Sequence, residues 1–206
     1  MKTVERILIA ALNLLNDQGV ARVSTNAIAD AADLSVGNLY YHFKNKDEIL
    51  LALFKDFQSA VAPLLIQENE IQSMEQWAHW WHDWFDHVQC FQFLFHDQSY
   101  LFHSNEHIRF HYDQLVNKVE KQQLSLFGQL KRQGTLVATE QDLDRIAREV
   151  TFIAVFWQDF YELGRPKPHR SNSAFKSALG QIMGLLLPYM KAVDQLQMEQ
   201  LIEHAS

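Results

Sequence analysis

Apolar residues recur at helical spacing along almost the whole chain. Between positions 3 and 18, Val4, Ile7, Leu8, Ala11, Leu12 and Leu15 follow the i, i+3, i+4 rule over three turns, which predicts a helix, and Gly19 is its stop signal. Ser24 or Thr25 can cap a short second helix to about Ala32, with Ile28, Ala29 and Ala32 as its packing face. Asp33-Leu34 reads as a turn, and Ser35 caps a third helix over about 36–42. Asn45, with Glu48 three residues on, caps a fourth whose inward face is Ile49, Leu50, Leu53, Phe54, Phe57, Val61, Leu64 and Leu65. Pro63 is expected to kink or end it, since proline lacks an amide donor and clashes one turn back. A stripe of Trp77, Trp80, Trp81, Trp84, Phe85 and Val88 predicts a helix over about 73–88. Further helices are expected over about 90–102, from near Ser104 to Gln133 before Gly134, over about 140–163, and over about 173–191. The stretch GRPKPHRSNS, 164–173, is the clearest break, and the residues after 191 read as a short helix or a frayed end. No internal repeat and no strand-like alternation occurs, so the expected class is all-α.

Composition narrows this picture. The chain has 206 residues, 48% of them apolar, enough for a real core in one or two domains, and only 7 Gly and 4 Pro. A single cysteine, Cys90, excludes an internal disulfide and suits a reducing compartment. Glu5, Arg6, Asn13, Asn16 and Asp17 interrupt Met1 to Gly19, which argues against a secretory signal. No uncharged apolar run approaches the ~20 residues of a membrane span. A soluble, cytoplasmic protein with no membrane partner is expected. The net charge is −7, but residues 1–55 carry six bases and six acids, so the later residues hold all of the excess. A neutral head on an acidic body suits nucleic-acid contact through the head only, with specific contacts mattering more than bulk attraction.

The stretch Thr25 to Phe43, TNAIADAADLSVGNLYYHF, has the order short helix, tight turn, short helix. In a helix-turn-helix the N-terminus of the second helix enters the major groove of DNA. Thr25 opens the first of these helices, where free amides and a hydroxyl can hold a phosphate. Ser35 caps the second and can also touch the DNA backbone, and Val36 can pack on a thymine methyl. Gly37 has no side chain, so the helix can press close to base edges. Asn38 can pair with adenine or with a phosphate. Tyr40, Tyr41 and His42 offer donors to phosphates, with Tyr41 expected to be the more exposed tyrosine and His42 equally able to cap the helix end. Lys46 lies in the first turn of the next helix, where charge and free amides favour phosphate. Leu39 and Phe43 read as core.

With Gly19, Thr25, Ile28-Ala29, Ala32, Ser35, Gly37, Leu39-Tyr40, His42-Phe43 and Lys46 at fixed spacing, the chain resembles the TetR family of bacterial one-component transcriptional regulators, most strongly over residues 5–55. Asp33 departs from the glycine usual in that turn, but aspartate tolerates a left-handed backbone better than most residues. Leu34 for the usual valine is conservative. The resemblance implies an N-terminal three-helix helix-turn-helix DNA-binding domain, residues 1–46, and a C-terminal helical ligand-binding and dimerisation bundle, residues 47–206. It implies DNA roles for Thr25, Gly37, Tyr40, Tyr41, His42 and Lys46, and a homodimer on a double-stranded operator.

The body resembles the family only in layout. Twelve of the 25 aromatic residues lie between Trp77 and Tyr112. Aromatic walls with a few polar groups are what small-molecule pockets need, although the same residues can simply fill a core. Trp77, Trp81, Trp84, Phe95, His96, Tyr112, Trp157 and Gln158 are the candidate ligand residues, for an apolar or aromatic effector. Residues 140–163 and 173–191 are too apolar to face water on any broad side. Phe152, Phe156, Phe160, Leu179, Met183, Leu186 and Leu187 are the candidate dimer residues. His103, His107 and His111 recur every four residues, and His79, His82, Asp83 and Asp86 share a helix side opposite the tryptophans. The second set reads as a solvated face, and no metal or other cofactor is expected. No Glu-x-x-His pair, P-loop or Gly-x-Ser-x-Gly occurs, and Cys90 has no identifiable base, so the chain is not expected to be an enzyme. The reading that follows is a repressor released from a palindromic operator by a small ligand. The alternative is a ligand-independent regulator or activator with a fully packed body.

Overall fold

The computed structural model describes residues 2–66, 73–162, 173–191 and 195–196. The break, apart from its last residue Ser173, and most of the tail lie outside the described residues. Ten α-helices follow in order: α1 (Thr3–Gln18), α2 (Thr25–Ala31), α3 (Val36–His42), α4 (Lys46–Ile66), α5 (Met74–Cys90), α6 (Phe93–His96), α7 (Gln98–Ser104), α8 (Glu106–Gln133), α9 (Glu140–Glu162) and α10 (Ser173–Leu186). Among the described residues no strand occurs, only an isolated antiparallel bridge between Leu136 and Met190. No helix there is long and apolar enough to cross a membrane.

The caps expected from sequence are formed. Ser24 Oγ accepts from the Ala27 amide and Ser35 Oγ from the Asn38 amide, both at 3.2 Å. Asn45 Oδ1 accepts from the Glu48 amide at 2.9 Å, and Glu48 reaches back to the Lys44 amide at 2.8 Å. Each satisfies a donor that the first turn of a helix leaves free. The face α1 buries is Ile7, Ala10, Ala11 and Leu15, whereas Val4 is exposed.

Three helices differ from the expectation. α4 passes through Pro63 to Ile66. The proline falls in the final turn, where few further hydrogen bonds are at stake. The Leu64 carbonyl, which has no intrahelical partner so near the end, accepts from Trp80 Nε1 at 2.8 Å and Gln122 Nε2 at 2.7 Å. The helix expected over 90–102 is two, α6 and α7, parted at Asp97 (φ −106°, ψ 24°). The Asp97 carboxylate leaves that axis to accept the Val20 amide at 2.8 Å. α10 ends at Leu186 and tightens to a 3-10 turn over Leu187–Tyr189, because Pro188 has no amide with which to continue.

The chain divides into two compact units, residues 1–61 with 87–113, and residues 62–86 with 114–206. The first therefore holds more than the helix-turn-helix head of residues 1–46. Asn16 Nδ2 donates to the Cys90 carbonyl at 2.8 Å and its Oδ1 accepts the Phe93 amide at 3.1 Å. Phe57 meets Phe91 and Phe95 edge-on, each at 5.5 Å, and Tyr112 packs on Phe54, Phe95 and Phe102 at 5.1–6.1 Å. In the second unit the tryptophans of α5 form the core. Trp77 and Trp81 are fully buried, and Trp77 Nε1 donates to Gln123 Oε1 at 2.8 Å. The linker between α8 and α9 is tied to the end of α10 by the Val137 amide, which donates to the Tyr189 carbonyl at 2.7 Å. Thr139 and Asp142 cap α9 reciprocally, and the Thr139 hydroxyl and amide hold the Asp142 carboxyl below its ordinary range. Its share of stability is present above the ordinary carboxylate range and is lost as pH falls through the lowered value.

Candidate nucleic-acid interface

The turn between α2 and α3 is built around one left-handed residue. Asp33 sits at φ +53°, the only non-glycine at positive φ among the described residues. That backbone costs most side chains about 1–2 kcal/mol, and aspartate is among the few that adopt it readily. The turn closes through the Asp33 amide on the Asp30 carbonyl and the Leu34 amide on the Ala29 carbonyl, each at 3.0 Å. Arg6 of α1 holds it from outside. Its Nη2 donates to the Ala32 carbonyl at 2.6 Å and the Asp33 carbonyl at 3.1 Å, and lies 3.6 Å from the Asp33 carboxylate. These carbonyls end α2 and have no partner within it. Replacing Arg6 by alanine is expected to lower stability by about 1–3 kcal/mol, the cost of stranding charge-assisted acceptors. Urea unfolding should show a lower midpoint at unchanged slope.

Beneath this turn Ile28, Ala29, Ala32, Leu39 and Phe43 are buried, so α2 and α3 are fixed to α1 through one face. The opposite face carries the expected site residues. Ser35, Gly37 and Asn38 are exposed, and Val36 and His42 are half-buried. Tyr41 is 84% exposed and Tyr40 46%, as the sequence suggests, and the Tyr41 ring leans edge-on against His42 at 5.1 Å. Thr25 Oγ1 and the Tyr40 hydroxyl share a hydrogen bond of 3.0 Å, which joins the start of α2 to the end of α3. A Cβ added at Gly37 would meet nothing within 4 Å. No packing inside the protein requires glycine there.

The sequence pattern of the tetR family of bacterial regulatory proteins matches residues 7–53, and a second pattern, described as a bacterial transcriptional repressor of TetR type, matches residues 56–197. The chain belongs to the TetR family. It is a helix-turn-helix DNA-binding regulator of all-α fold. Among curated proteins it is similar to the HTH-type transcriptional regulator AcrR of Shigella flexneri, 33% identical over 66 residues, 32% of this chain and 31% of that protein. A probable acrEF/envCD operon repressor of Escherichia coli K12 is 31% identical over 75 residues, 36% of this chain and 33% of that one. The chain thus spans about a third of the length of the curated relatives it matches. Among solved structures, a TetR-family transcriptional regulator from Marinobacter aquaeolei VT8 superposes with TM-score 0.90 at 26% identity, covering 100% of this chain and 99% of that one. The ketosteroid transcriptional regulator KstR2 of Mycobacterium tuberculosis shares the fold, with TM-score 0.66 at 16% identity over 92% and 96% of the chains.

Lys46 is placed differently from the TetR-based expectation. Its ammonium points inward, donating to the carbonyls of Val20 at 2.9 Å and Val23 at 3.2 Å, with the Tyr100 ring centre 5.2 Å away. Two of its three donors are engaged within the protein. The side chains of Arg22 and Lys44 are exposed instead. Arg6 and Asp97 were not legible as part of the head, because their partners are main-chain groups 26 to 77 residues away.

The eight candidate ligand residues are shared between the two units. Phe95, His96 and Tyr112 belong to the first unit, where Gln98 Nε2 donates to the Tyr112 hydroxyl at 2.7 Å. Trp77, Trp81, Trp84, Trp157 and Gln158 belong to the second. Trp77, Trp81 and Trp84 form a chain of edge-on rings at 6.3 and 6.4 Å. Trp157 and Gln158 of α9 are half-buried. In the same unit Trp81 Nε1, Gln122 Oε1 and Gln123 Nε2 are buried without a hydrogen-bond partner among the described residues. Gln122 and Gln123 are the residues sequence reasoning missed; their place on the buried side of α8, beside Leu115, Val119 and Leu126, was the available signal.

The candidate dimer residues separate cleanly. Phe152, Phe156 and Phe160 are 63%, 43% and 64% exposed on one side of α9. Leu179, Met183 and Leu186 are buried within the protomer, so they cannot present surface to a partner. They support α10 from beneath, and Leu187 is half-buried in the turn that follows. Among the described residues no three histidine, cysteine or acidic side chains come together to hold a metal ion. His82 Nδ1 faces Asp86 at 3.4 Å on the exposed side of α5.

Proposed function

We propose that this regulator is a cytoplasmic repressor that binds a palindromic operator as a two-fold homodimer and releases it when a small apolar or aromatic molecule enters the body. The observation that carries the DNA part is the outward face of α3. Gly37, Asn38 and Tyr41 are exposed on one face, above a turn that Arg6 and Asp33 hold together. Thr25, Ser35, Val36, Tyr40 and His42 complete the surface toward phosphates and base edges. Support for an effector comes from the second unit. Its core sets four tryptophans and two phenylalanines among aliphatic side chains, and it includes a buried donor on Trp81, another on Gln123 and an acceptor on Gln122 that no described residue satisfies. Such groups cost about 1–3 kcal/mol each when left unpaired, and a ligand that meets them recovers it.

Support for the dimer comes from α9 and α10. The three exposed phenylalanines recur every four residues, and the outward side of α10 offers Ser177, Gly180, Gln181 and Gly184, mostly small. A Cβ at Gly184 would meet nothing within 4 Å, so the protomer itself does not need glycine there. Small residues let two helices approach closely, and a two-fold axis through such a face would match the symmetry of a palindrome.

The test is selection of a duplex from a random-sequence pool by the wild-type protein, followed by titration of that duplex with wild type and Tyr41→Ala. Binding should fall severalfold in the variant, while thermal stability stays unchanged because the ring is exposed. An unaltered affinity would remove the outward face of α3 from the interface.

A further inference from the structure

The segment between α1 and α2, Gly19 to Ser24, has almost no structure of its own. Gly19 turns the chain at φ +80°, and a single weak turn bond runs from the Arg22 amide to the Gly19 carbonyl at 3.3 Å. Val20 and Val23 are buried as anchors, while Ala21, Arg22 and Ser24 are exposed. Between Val20 and Val23 the main chain is held by side chains from distant positions. Asp97, between α6 and α7, accepts the Val20 amide at 2.8 Å. The same carboxylate lies 3.3 Å from where a Cβ on Gly19 would be, which leaves little room for any other residue. From α4, the Lys46 ammonium takes the carbonyls of Val20 and Val23, and Tyr100 of α7 presents its ring to that ammonium at 5.2 Å. The Val20 peptide is thus gripped through both its N–H and its C=O by two opposite charges.

We propose that Lys46 and Asp97 are positioning residues for DNA binding: they clamp the Gly19–Ser24 loop so that Arg22 and the start of α2 are presented to phosphates, and Lys46 itself does not touch the DNA backbone. The inference rests on the DNA-binding reading of the α2–α3 face. Its physical basis is that two of the three ammonium donors already serve carbonyls, so a lysine that swung away to a phosphate would strand both, and stranded acceptors are costly. The loop it holds leads directly into Ser24, which caps α2, and Thr25, which is bonded to Tyr40. Slack in the loop therefore reaches both ends of the recognition surface. Because Asp97 and Tyr100 lie outside residues 1–46, the clamp also makes the head depend on the α6–α7 segment.

A phosphate contact and a positioning contact differ in how they respond to salt. Each phosphate neutralised by a cation contributes about −0.9 to the slope of log affinity against log salt concentration. The full-length wild type, Lys46→Met, Asp97→Ala and the conservative Asp97→Asn would be titrated across a salt series against the duplex that the wild type selects from a random pool. Hydrogen exchange of the amides from Val20 to Ser24 would be followed in the same four proteins without DNA. The expected result is at least tenfold weaker binding by Lys46→Met and Asp97→Ala at an unchanged salt slope, with at least tenfold faster exchange at Val20, and partial rescue of both by Asp97→Asn. A slope shallower by about 0.9 in Lys46→Met, with exchange unaltered, would overturn the proposal and return Lys46 to the phosphates. Wild-type affinity in spite of fast loop exchange would overturn it as well. Should the wild type select no duplex, the DNA reading itself falls and this role falls with it; the exchange data then decide only whether the clamp holds the loop.

Discussion

Alanine at position 37 is expected to make the protein more stable and its hold on DNA weaker. Gly37 is the second residue of α3, at ordinary helical φ, and a methyl group there would touch nothing in the protein. Glycine inside a helix costs about 0.5–1 kcal/mol relative to alanine, so Gly37→Ala should raise the urea midpoint by a corresponding amount. On the DNA the sign reverses. If α3 lies against base edges closely enough to need a bare Cα, the added methyl intrudes into a packed interface at a cost of about 1–3 kcal/mol, or roughly 5- to 150-fold in affinity. Opposite shifts in stability and binding from one methyl group cannot arise from a general folding defect. Stabilisation with full DNA affinity would mean that α3 does not press on the groove at this point, and the register of the docked helix would have to be redrawn around Asn38 and Tyr41.

The second large effect is expected at α9. Phe152, Phe156 and Phe160 expose three rings on one side of the helix, with Phe152 and Phe156 5.2 Å apart. Phe156→Asp places a charge at the centre of that patch, where a partner's apolar face would have to desolvate it. The protein should sediment as a monomer with unchanged helical content, since the ring lies at the protomer surface outside its core. Its affinity for a full palindrome should fall by about 100- to 10,000-fold, the loss expected when two linked half-site contacts become independent, while affinity for a single half-site is preserved. A wild type that is already monomeric would overturn the dimer reading, and a variant that remains dimeric would place the two-fold axis elsewhere.

Helical periodicity and cap chemistry made much of this architecture readable in advance. Ser24, Ser35, Asn45 and Gly134 mark helix ends where side-chain chemistry dictates them, and such local rules survive folding intact. At Asp33 the resemblance, which has glycine in that turn, implied a left-handed backbone that aspartate tolerates, and the backbone adopts it. What was not legible depends on contacts far apart in sequence. Nothing local to Asp97 says that its carboxylate will leave its helix axis for the Val20 amide, so periodicity alone gives one unbroken helix over 90–102. For the same reason the place of Lys46 in a first turn does not disclose the carbonyls beneath it. In α10 an apolar pattern identified a helix but not which side faces a partner. Leu179, Met183 and Leu186 share the stripe that packs inward, leaving the outward side to small residues that periodicity alone does not single out.

Of the six basic residues in positions 1–55, Arg6 and Lys46 are turned onto main-chain carbonyls, leaving Lys2, Arg22, Lys44 and Lys55 among six acids. Bulk DNA holds proteins mainly through such cations, so on the proposed DNA-binding function this head is expected to grip an arbitrary stretch of duplex only briefly. The search for an operator would then run through repeated separate collisions more than through long sliding runs. Fewer molecules would be sequestered by other DNA, and a small number of copies would be enough to keep one site occupied.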